Sequence, residues 1–193
     1  MSNNKIRGAG AFLLISTVGI LVSVFFTLKT DVKEFTGVYW GAFDPPTEAH
    51  SAIIAKAISD IPLRKLVVVV NNHPYKNYKY SLTERLHMMK IILQQHGLEQ
   101  TELLWQDESH QMDAIALKAM IQGPLCAIAG YDAYKKWITY SVPQERSHYD
   151  AIAVIPRGDE APILFDRMAF LLPIDSKYKN VSSTKVKVTV HAV

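Results

Sequence analysis

Residues 35–50 read FTGVYWGAFDPPTEAH, and this stretch predicts how the rest of the chain folds. The apolar run Phe35–Trp40 is typical of a buried strand, Gly41 begins a turn, and a helix is expected from Thr47. Thr47 and His50 are three residues apart, so their side chains should share one face of the first helical turn. That turn also carries free backbone N–H groups and the positive end of the helix dipole. We therefore predict a polyphosphate site here.

This predicted site differs from the commonest phosphate-binding loop. The sequence contains no GxxxxGK[ST] pattern, which excludes a Walker loop. The residues FDPP are also typical of an ordinary turn, so a purely structural strand–turn–helix is the alternative interpretation. Within the turn, Asp44 is expected to fix the backbone rather than to touch a substrate.

A second phosphate-binding pattern lies near the end of the chain, where Asn180–Lys187 reads NVSSTKVK. Ser182 and Ser183 precede a predicted helix, whose first hydroxyl and N–H groups suit phosphate oxygens. Lys185 and Lys187 add positive charge. The alternation in VKVTVHAV fits a basic edge strand equally well, and that interpretation stays open.

Apolar segments alternate with helical patterns along the rest of the chain. Strands are also predicted at Lys65–Asn71, Leu103–Trp105, Leu125–Ala129, Ala151–Ile155 and Met168–Leu172, and helices at Thr47–Ser59, Ser81–Gly97 and Met112–Ile121. This alternation predicts right-handed crossovers and an α/β fold with a doubly wound, Rossmann-like parallel sheet. Ligands of such sheets bind beyond the carboxyl ends of the strands, where the turn after Trp40 and the loops after Val70 and Ala129 should lie.

Together the two segments resemble the signatures of the nucleotidyltransferase (cytidylyltransferase-like) superfamily, GxF(D/N)PxTxxH and ISSTxIR. The resemblance extends from Thr36 to Lys187 and is closest to nicotinate- and nicotinamide-nucleotide adenylyltransferases. It implies transfer of AMP from ATP to a phosphorylated acceptor, with release of pyrophosphate and with Mg²⁺ carried by the ATP. Three positions depart from the common forms of the signatures, GxFDPxHxGH and ISSTxIR. Thr47 stands where many members have a histidine, Ala49 replaces a glycine, and Lys187 replaces an arginine, losing its bidentate fork but keeping the charge.

The resemblance also implies roles for individual residues. The implied catalytic residues are His50, Thr47 and Lys76, with Lys79 as an alternative to Lys76. The implied ATP and phosphate ligands are Gly41, Ala42, Phe43, Ser182, Ser183, Thr184 and Lys187. The implied nucleotide and acceptor ligands are Gly130, Asp132 and Trp137, although Asp132 also suits a helix N-cap. No metal ligand is expected from the protein, and Arg85 of the family-like SLTER segment is expected to pair with a neighbouring carboxylate.

The acceptor is less well defined by the sequence. Gly130–Ala133 with Trp137 resembles the IIGxDxxxxxxxW segment of the nicotinate and nicotinamide enzymes, and Ala151–Asp159 resembles their VVxRPG-like segment. Both favour nicotinate or nicotinamide mononucleotide, whereas Ser109–Ala114 lacks the tyrosine and threonines of the SYTxDT segment. Phosphopantetheine adenylyltransferase, cytidylyltransferase and a membrane-tethered, non-catalytic nucleotide-binding protein remain alternatives.

The composition bounds the class of protein. The chain has 193 residues, a net charge of +3 and one cysteine, Cys126, so no nucleic-acid partner and no intrachain disulfide framework are expected. Residues 35–193 are predicted to form the nucleotidyltransferase-like domain. The expected partners are ATP and a small phosphorylated acceptor, and self-association into a homo-oligomer is left open.

Residues 1–30 form a separate predicted unit. No residue from Gly8 to Leu28 is charged, and this length suffices to cross a bilayer as one hydrophobic helix. We expect an uncleaved membrane anchor, with a cleaved signal peptide or a mistaken start codon as alternatives. Because ATP is cytoplasmic, the expected location is membrane-anchored with the catalytic domain facing the cytoplasm.

Overall fold

The computed structural model describes residues 34–141, 143–157 and 161–178, which form a parallel α/β sheet with helices on both faces. In the described residues the sheet has six strands in the order β3-β2-β1-β4-β5-β6, and every neighbouring pair is parallel. The strands are β1 Phe35–Gly41, β2 Leu63–Asn71, β3 Glu102–Gln106, β4 Leu125–Gly130, β5 Ala151–Ile155 and β6 Ala169–Leu171. The predicted Rossmann-like parallel sheet is confirmed.

The helices follow the strands in the expected alternation. They are α1 Glu48–Asp60, α2 Leu82–Gln95, α3 Ala114–Met120, α4 Tyr131–Tyr140 and the short α5 Pro143–Arg146, with a 3₁₀ turn at Ser176–Tyr178. Helix α2 begins with a capping box, since the Glu84 carboxylate accepts from the Ser81 N–H and the Glu84 N–H donates to the Ser81 hydroxyl. Helix α4 was not among the helices that the sequence pattern predicted. Its inward face carries aromatic rings, which favour strands at least as much as helices.

Alternation along the strands divides the core into two layers. Successive side chains of a strand point to opposite faces. Val38 of β1 and Val67 and Val69 of β2 pack on the face covered by α3 and α4. Tyr39 and Val68 pack on the opposite face, against α1 and α2. Both faces are therefore buried, as a parallel sheet requires.

The strand order reverses at β1, and this reversal positions the candidate site. The chain passes from β1 outward to β2 and β3, and then returns to the other side of β1 as β4. The pairing of Tyr39 with Ile128 brings the carboxyl ends of β1 and β4 together, at Gly41 and Gly130. A crevice at such a switch point is where open α/β sheets bind ligands.

The predicted membrane-anchored location is wrong for the part of the chain that the structure describes. No helix in residues 34–141, 143–157 and 161–178 is long and apolar enough to cross a membrane. Helix α2, for example, has 14 residues, whereas a span needs about 20. The segment Gly8–Leu28, on which the expectation of an anchor and of a cytoplasm-facing domain depended, lies outside the described residues. The division into 1–30 and 35–193 stays a prediction.

Candidate active site

The turn after β1 has a fixed shape that depends on a glycine. Phe43 has a φ of 46°, in the left-handed region that non-glycine residues rarely adopt. Its ring folds back over Gly41, where a Cβ atom would lie 2.6 Å from Phe43 Cζ. The same ring packs edge-on against the His50 imidazole, with 5.0 Å between the centroids. Gly41, Phe43 and His50 therefore form one packed unit.

His50 is held by Thr47 through one ring nitrogen. The Thr47 backbone N–H donates to His50 Nδ1 at 2.9 Å, and Thr47 Oγ1 lies 2.9 Å from the same nitrogen. The two side chains thus share one face of the first turn of α1, as the spacing predicts. Because Nδ1 accepts from a backbone N–H, the proton of the neutral ring is on Nε2. His50 therefore offers a fixed N–H donor.

The surroundings of His50 keep the ring uncharged. The residue is 9% exposed. Burial, and to a smaller extent the positive charge of Arg157, lower the pKa of His50 to about 3. At neutral pH His50 can therefore donate a hydrogen bond to an anion, but it has no acidic proton to transfer.

This depressed pKa predicts how stability depends on pH. The folded pKa of about 3 lies below the unfolded value of 6.5, so between these values the unfolded chain binds more protons. The contribution of His50 to the free energy of unfolding is therefore present above pH 6.5 and lost as the pH falls. We expect a loss of roughly 2 kcal/mol between pH 6.5 and 4.5. Urea unfolding across this range measures it, and His50→Gln should reduce the slope whereas exposed His96→Gln should leave it unchanged.

Asp44 joins the turn to the loop that follows β2. Its side chain is 2% exposed. One carboxylate oxygen accepts the Lys79 N–H at 2.9 Å, and the other accepts the Tyr80 N–H at 3.0 Å. The carboxylate thus fixes two loops against each other.

Arg85 also links the turn after β1 to the loop that follows β2. It is fully buried, and its Nη1 donates to the carbonyl oxygens of Ala42 at 2.7 Å and of Asn71 at 2.8 Å. Its Nη2 donates to Asn72 Oδ1 at 2.6 Å, and its Nε donates to the Tyr80 carbonyl at 3.1 Å. The guanidinium thus ties the end of β2 and the loop after it to the turn between β1 and α1, which is called the phosphate turn after the polyphosphate site that the sequence predicts there. The expected pairing of Arg85 with a neighbouring carboxylate gives way to hydrogen bonds with carbonyl and amide oxygens.

The two candidate lysines lie in the loop that Asp44 and Arg85 hold. The Lys76 ammonium lies 5.5 Å from the centroid of the Tyr78 ring, and the guanidinium carbon of Arg85 lies 3.9 Å from the same centroid. The Lys79 ammonium lies 5.3 Å from the Tyr80 ring. Both lysines therefore belong to a segment docked on the phosphate turn, and the catalytic assignment of Lys76 stays a prediction.

A further cation, Arg157, reaches the site from the end of β5. Its side chain crosses Gly130 so closely that a Cβ atom there would lie 2.9 Å from Arg157 Nε. The positive charge of the guanidinium lowers the pKa of both the Tyr39 hydroxyl and the His50 imidazole, opposing the effect of burial at Tyr39 and adding to it at His50. Gly130 therefore lets an arginine approach the imidazole. Arg157 belongs to the family-like segment Ala151–Asp159, but it was not among the predicted site residues.

An aromatic cavity of about 290 Å³ adjoins the ends of β1 and β4. Its lining residues are Trp40, Asn71, Ala127, Ile128, Ala129, Gly130, Ala133, Trp137 and Tyr149. The Tyr149 ring meets Trp137 edge-on at 5.1 Å and Trp40 edge-on at 5.7 Å. The predicted acceptor residues Gly130 and Trp137 thus line one cavity, while exposed Asp132 lies in the first turn of α4.

Part of the predicted site cannot be placed. Ser182, Ser183, Thr184 and Lys187 lie outside the described residues, so their convergence with His50 stays a prediction. Within the described residues, no group of three or more His, Cys, Asp or Glu side chains is arranged to hold a metal ion. The His50 Nε2–H and the nearby Arg157 guanidinium are a neutral and a cationic donor, and both suit the oxygens of a phosphate chain.

Comparison with known proteins assigns this architecture to a family. The model of the cytidylyltransferase-like family matches residues 38–188. A phosphopantetheine adenylyltransferase from Fusobacterium nucleatum is 45% identical over 58 residues, which are 30% of this chain and 34% of that protein. A probable nicotinate-nucleotide adenylyltransferase from Buchnera aphidicola is 23% identical over 134 residues, which are 65% of this chain and 63% of that protein. The chain therefore matches between a third and two thirds of the length of these relatives.

A solved structure shows the same fold at low sequence identity. The nicotinic acid mononucleotide adenylyltransferase of Plasmodium falciparum, complexed with NaAD, superposes with a TM-score of 0.63. The match covers 80% of this chain and 83% of that one at 19% identity. At this identity the likeness establishes the arrangement of strands and helices.

Proposed function

Because this chain belongs to the cytidylyltransferase-like family, we propose that it transfers AMP from ATP to nicotinate or nicotinamide mononucleotide and releases pyrophosphate. The observation that carries the proposal is the fixed orientation of the His50 imidazole, whose Nδ1 accepts from the Thr47 N–H. Thr47 fixes its tautomer at the start of α1, beside the turn where the family signature lies. A neutral N–H donor at a helix N-terminus is suited to a charged phosphate chain.

The proposed reaction is a direct displacement at phosphorus. An oxygen of the acceptor phosphate forms a bond to the α-phosphorus of ATP. The bond between that phosphorus and the oxygen that bridges the α- and β-phosphorus atoms breaks. Pyrophosphate leaves with the electron pair. The protein contributes positioning and charge stabilisation. The His50 Nε2–H donates to a phosphate oxygen as charge develops, and Arg157 and Lys76 supply positive charge.

Mg²⁺ fits this site as a companion of ATP. The described residues contain no group of three or more His, Cys, Asp or Glu side chains arranged to hold a metal ion, and Mg²⁺ commonly binds the oxygens of substrate phosphates. The ion would therefore be held by the triphosphate, where it neutralises charge on the leaving pyrophosphate. The phosphate-binding roles of Gly41, Ala42, Phe43, Ser182, Ser183, Thr184 and Lys187 belong to the same proposal.

The aromatic cavity supports a pyridine nucleotide as the acceptor. Trp40, Trp137 and Tyr149 present flat rings around about 290 Å³, near the lower end of ligand pockets at roughly 300 Å³. Both mononucleotides carry a pyridinium ring, which aromatic faces attract through stacking and cation–π interactions. Phosphopantetheine is the second candidate, because the segment of 45% identity comes from a phosphopantetheine adenylyltransferase.

An acceptor panel tests the proposed function. Full-length protein is incubated with Mg·ATP and one acceptor at a time, either of the two mononucleotides or phosphopantetheine. A separate reaction mixture tests cytidylyl transfer. Pyrophosphate release is measured in every reaction. We expect release that depends on a pyridine mononucleotide. Release with phosphopantetheine alone would assign the second candidate, and ATP binding without release under every condition would indicate a non-catalytic nucleotide-binding protein.

Truncation of Trp137 should weaken the binding of the acceptor more than the binding of ATP. Because one stacked ring contributes about 1–3 kcal/mol to base binding, Trp137→Ala should raise the KM for the mononucleotide about tenfold or more. The KM for ATP should change less than about threefold. Steady-state kinetics with each substrate varied measures both. Tyr140→Ala, on the same helix at a side chain that is 84% exposed, should change neither value; an equal rise in both constants for Trp137→Ala would contradict its assignment to the acceptor.

A further inference from the structure

A second cavity, of about 320 Å³, adjoins the aromatic one. We call it the acidic cavity, because Asp113 and Glu145 line it together with His148. Of the described residues, only Trp137 and Tyr149 line both cavities. Their rings meet edge-on with 5.1 Å between the centroids. These two rings therefore form a partition between the aromatic cavity and the acidic cavity.

Tyr149 closes the end of the aromatic cavity that lies away from the ends of β1 and β4. It comes just before β5, and the N–H of the next residue, Asp150, donates to the Leu125 carbonyl at the start of β4. From there its ring, 7% exposed, reaches to 5.7 Å from the Trp40 ring. Gly130, in contrast, is the last residue of β4. The cavity therefore extends from Gly130 at one end to Tyr149 at the other.

Charges of opposite sign lie at the two ends of the aromatic cavity. The Arg157 guanidinium lies against Gly130 at one end. At the other end, burial and then the negative charges of Asp113 and Glu145 raise the pKa of Tyr149. Such a field attracts a phosphate to the Gly130 end and repels it from the partition. The pyridine ring of a mononucleotide, with the group attached to that ring, then faces Tyr149.

We propose that Tyr149 is a specificity-determining residue whose ring closes the aromatic cavity against the acidic cavity and so excludes acceptors with a long substituent on the pyridine ring. The inference rests on the proposed function, since it concerns which pyridine mononucleotides receive the AMP. A ring packed edge-on between two others has little room to move aside, because protein interiors are close-packed. Removal of the ring joins the two cavities and roughly doubles the space open to the acceptor.

The test uses full-length protein, the parent mononucleotide and two analogues extended by a short alkyl chain through an amide on the pyridine ring. One chain ends in an ammonium group and the other in a carboxylate. In the wild type, kcat/KM for both analogues should be at least about tenfold below that for the parent. Tyr149→Ala should raise kcat/KM for the ammonium analogue, relative to the parent, at least about tenfold. Tyr149→Phe keeps the ring and should exclude both analogues as the wild type does.

The charge of the acidic cavity gives a second readout, which shows where the chain of the analogue lies. In Tyr149→Ala, kcat/KM for the ammonium analogue should exceed that for the carboxylate analogue about threefold or more. Adding Glu145→Gln should reduce this preference, whereas adding Glu99→Gln, at an exposed residue that lines neither cavity, should not. Asp113 is left intact because its carboxylate caps α3, accepting the Ala116 N–H at 2.8 Å.

Tyr149→Leu keeps the test decisive where the loss of a buried ring prevents Tyr149→Ala from folding. It retains apolar packing with a shorter side chain and should admit the ammonium analogue in the same direction. Equal use of the parent and the analogues by the wild type, continued exclusion by the variants without the ring, or no preference for the ammonium analogue in them would each overturn the inference, while turnover of the parent shows that the proposed function stands. Pyrophosphate release with phosphopantetheine alone would overturn the proposed function, and this inference with it.

Discussion

His50→Ala is expected to lower kcat by about two to three orders of magnitude, while the variant stays folded. The ring donates through Nε2 because Nδ1 is engaged by Thr47, and removal of one such donor from a developing anion typically costs about 3–4 kcal/mol of barrier. Pre-steady-state measurement of pyrophosphate release gives the rate of the chemical step. His50→Gln, which retains an N–H donor near the same position, should recover part of the loss.

The matched control for this prediction is His96→Ala, a substitution of an exposed histidine at the end of α2. Its rate should equal that of the wild type. Because the pKa of His50 is lowered to about 3, His50 should not titrate near pH 6.5. The rate should therefore depend on pH in the same way around pH 6.5 in the wild type and in His50→Gln. An unchanged rate in His50→Ala would remove His50 from the active site.

Arg85→Met is expected to reduce the free energy of unfolding by about 3 kcal/mol or more. The substitution roughly keeps the volume but leaves the carbonyls of Ala42 and Asn71 without their guanidinium donor, and each unpaired buried group costs about 1–3 kcal/mol. The pKa of Arg85 is lowered by its burial, with the nearby Tyr78 and Asp44 opposing that shift, but an arginine stays charged in any protein environment. Urea unfolding monitored by fluorescence measures the loss.

Two variants keep this prediction decisive even where Arg85→Met fails to fold. Arg85→Lys retains the charge but not the planar fork, so it should restore part of the stability. Lys90→Met, on an exposed position of the same helix, should change stability by less than about 0.5 kcal/mol. If Arg85→Met were as stable as Lys90→Met, the hydrogen bonds of Arg85 to the turn after β1 and to the loop after β2 would not be what stabilises the phosphate turn.

The sheet was predictable because its strands are short apolar runs separated by helical patterns. The continuous β-branched run in Lys65–Asn71 is typical of a buried parallel strand, and in the structure its valines point to both faces of the sheet, which are both covered. The i, i+3 spacing of Thr47 and His50 similarly predicted a contact that the structure confirms at 2.9 Å. These features depend on local periodicity, which one sequence displays directly.

Other parts of the site depend on contacts between distant segments. Trp40, Asn71 and Tyr149 belong to three separate stretches, and only the strand order and the packing of α4 bring them to one cavity. Arg85 did carry a signal that was missed. It shares the apolar stripe of α2 with Met89 and Leu93, and an arginine on a buried stripe must find acceptors inside the protein.

The most direct test of the central claim is to follow ATP turnover by phosphorus NMR with full-length protein, Mg²⁺ and nicotinamide mononucleotide. We predict that the three ATP signals disappear together while pyrophosphate and the diphosphate bridge of a dinucleotide appear in equal amounts. That result identifies cleavage between the α- and β-phosphorus atoms and transfer of AMP. Formation of ADP and inorganic phosphate, or ATP that stays intact with every acceptor of the panel, would contradict the account.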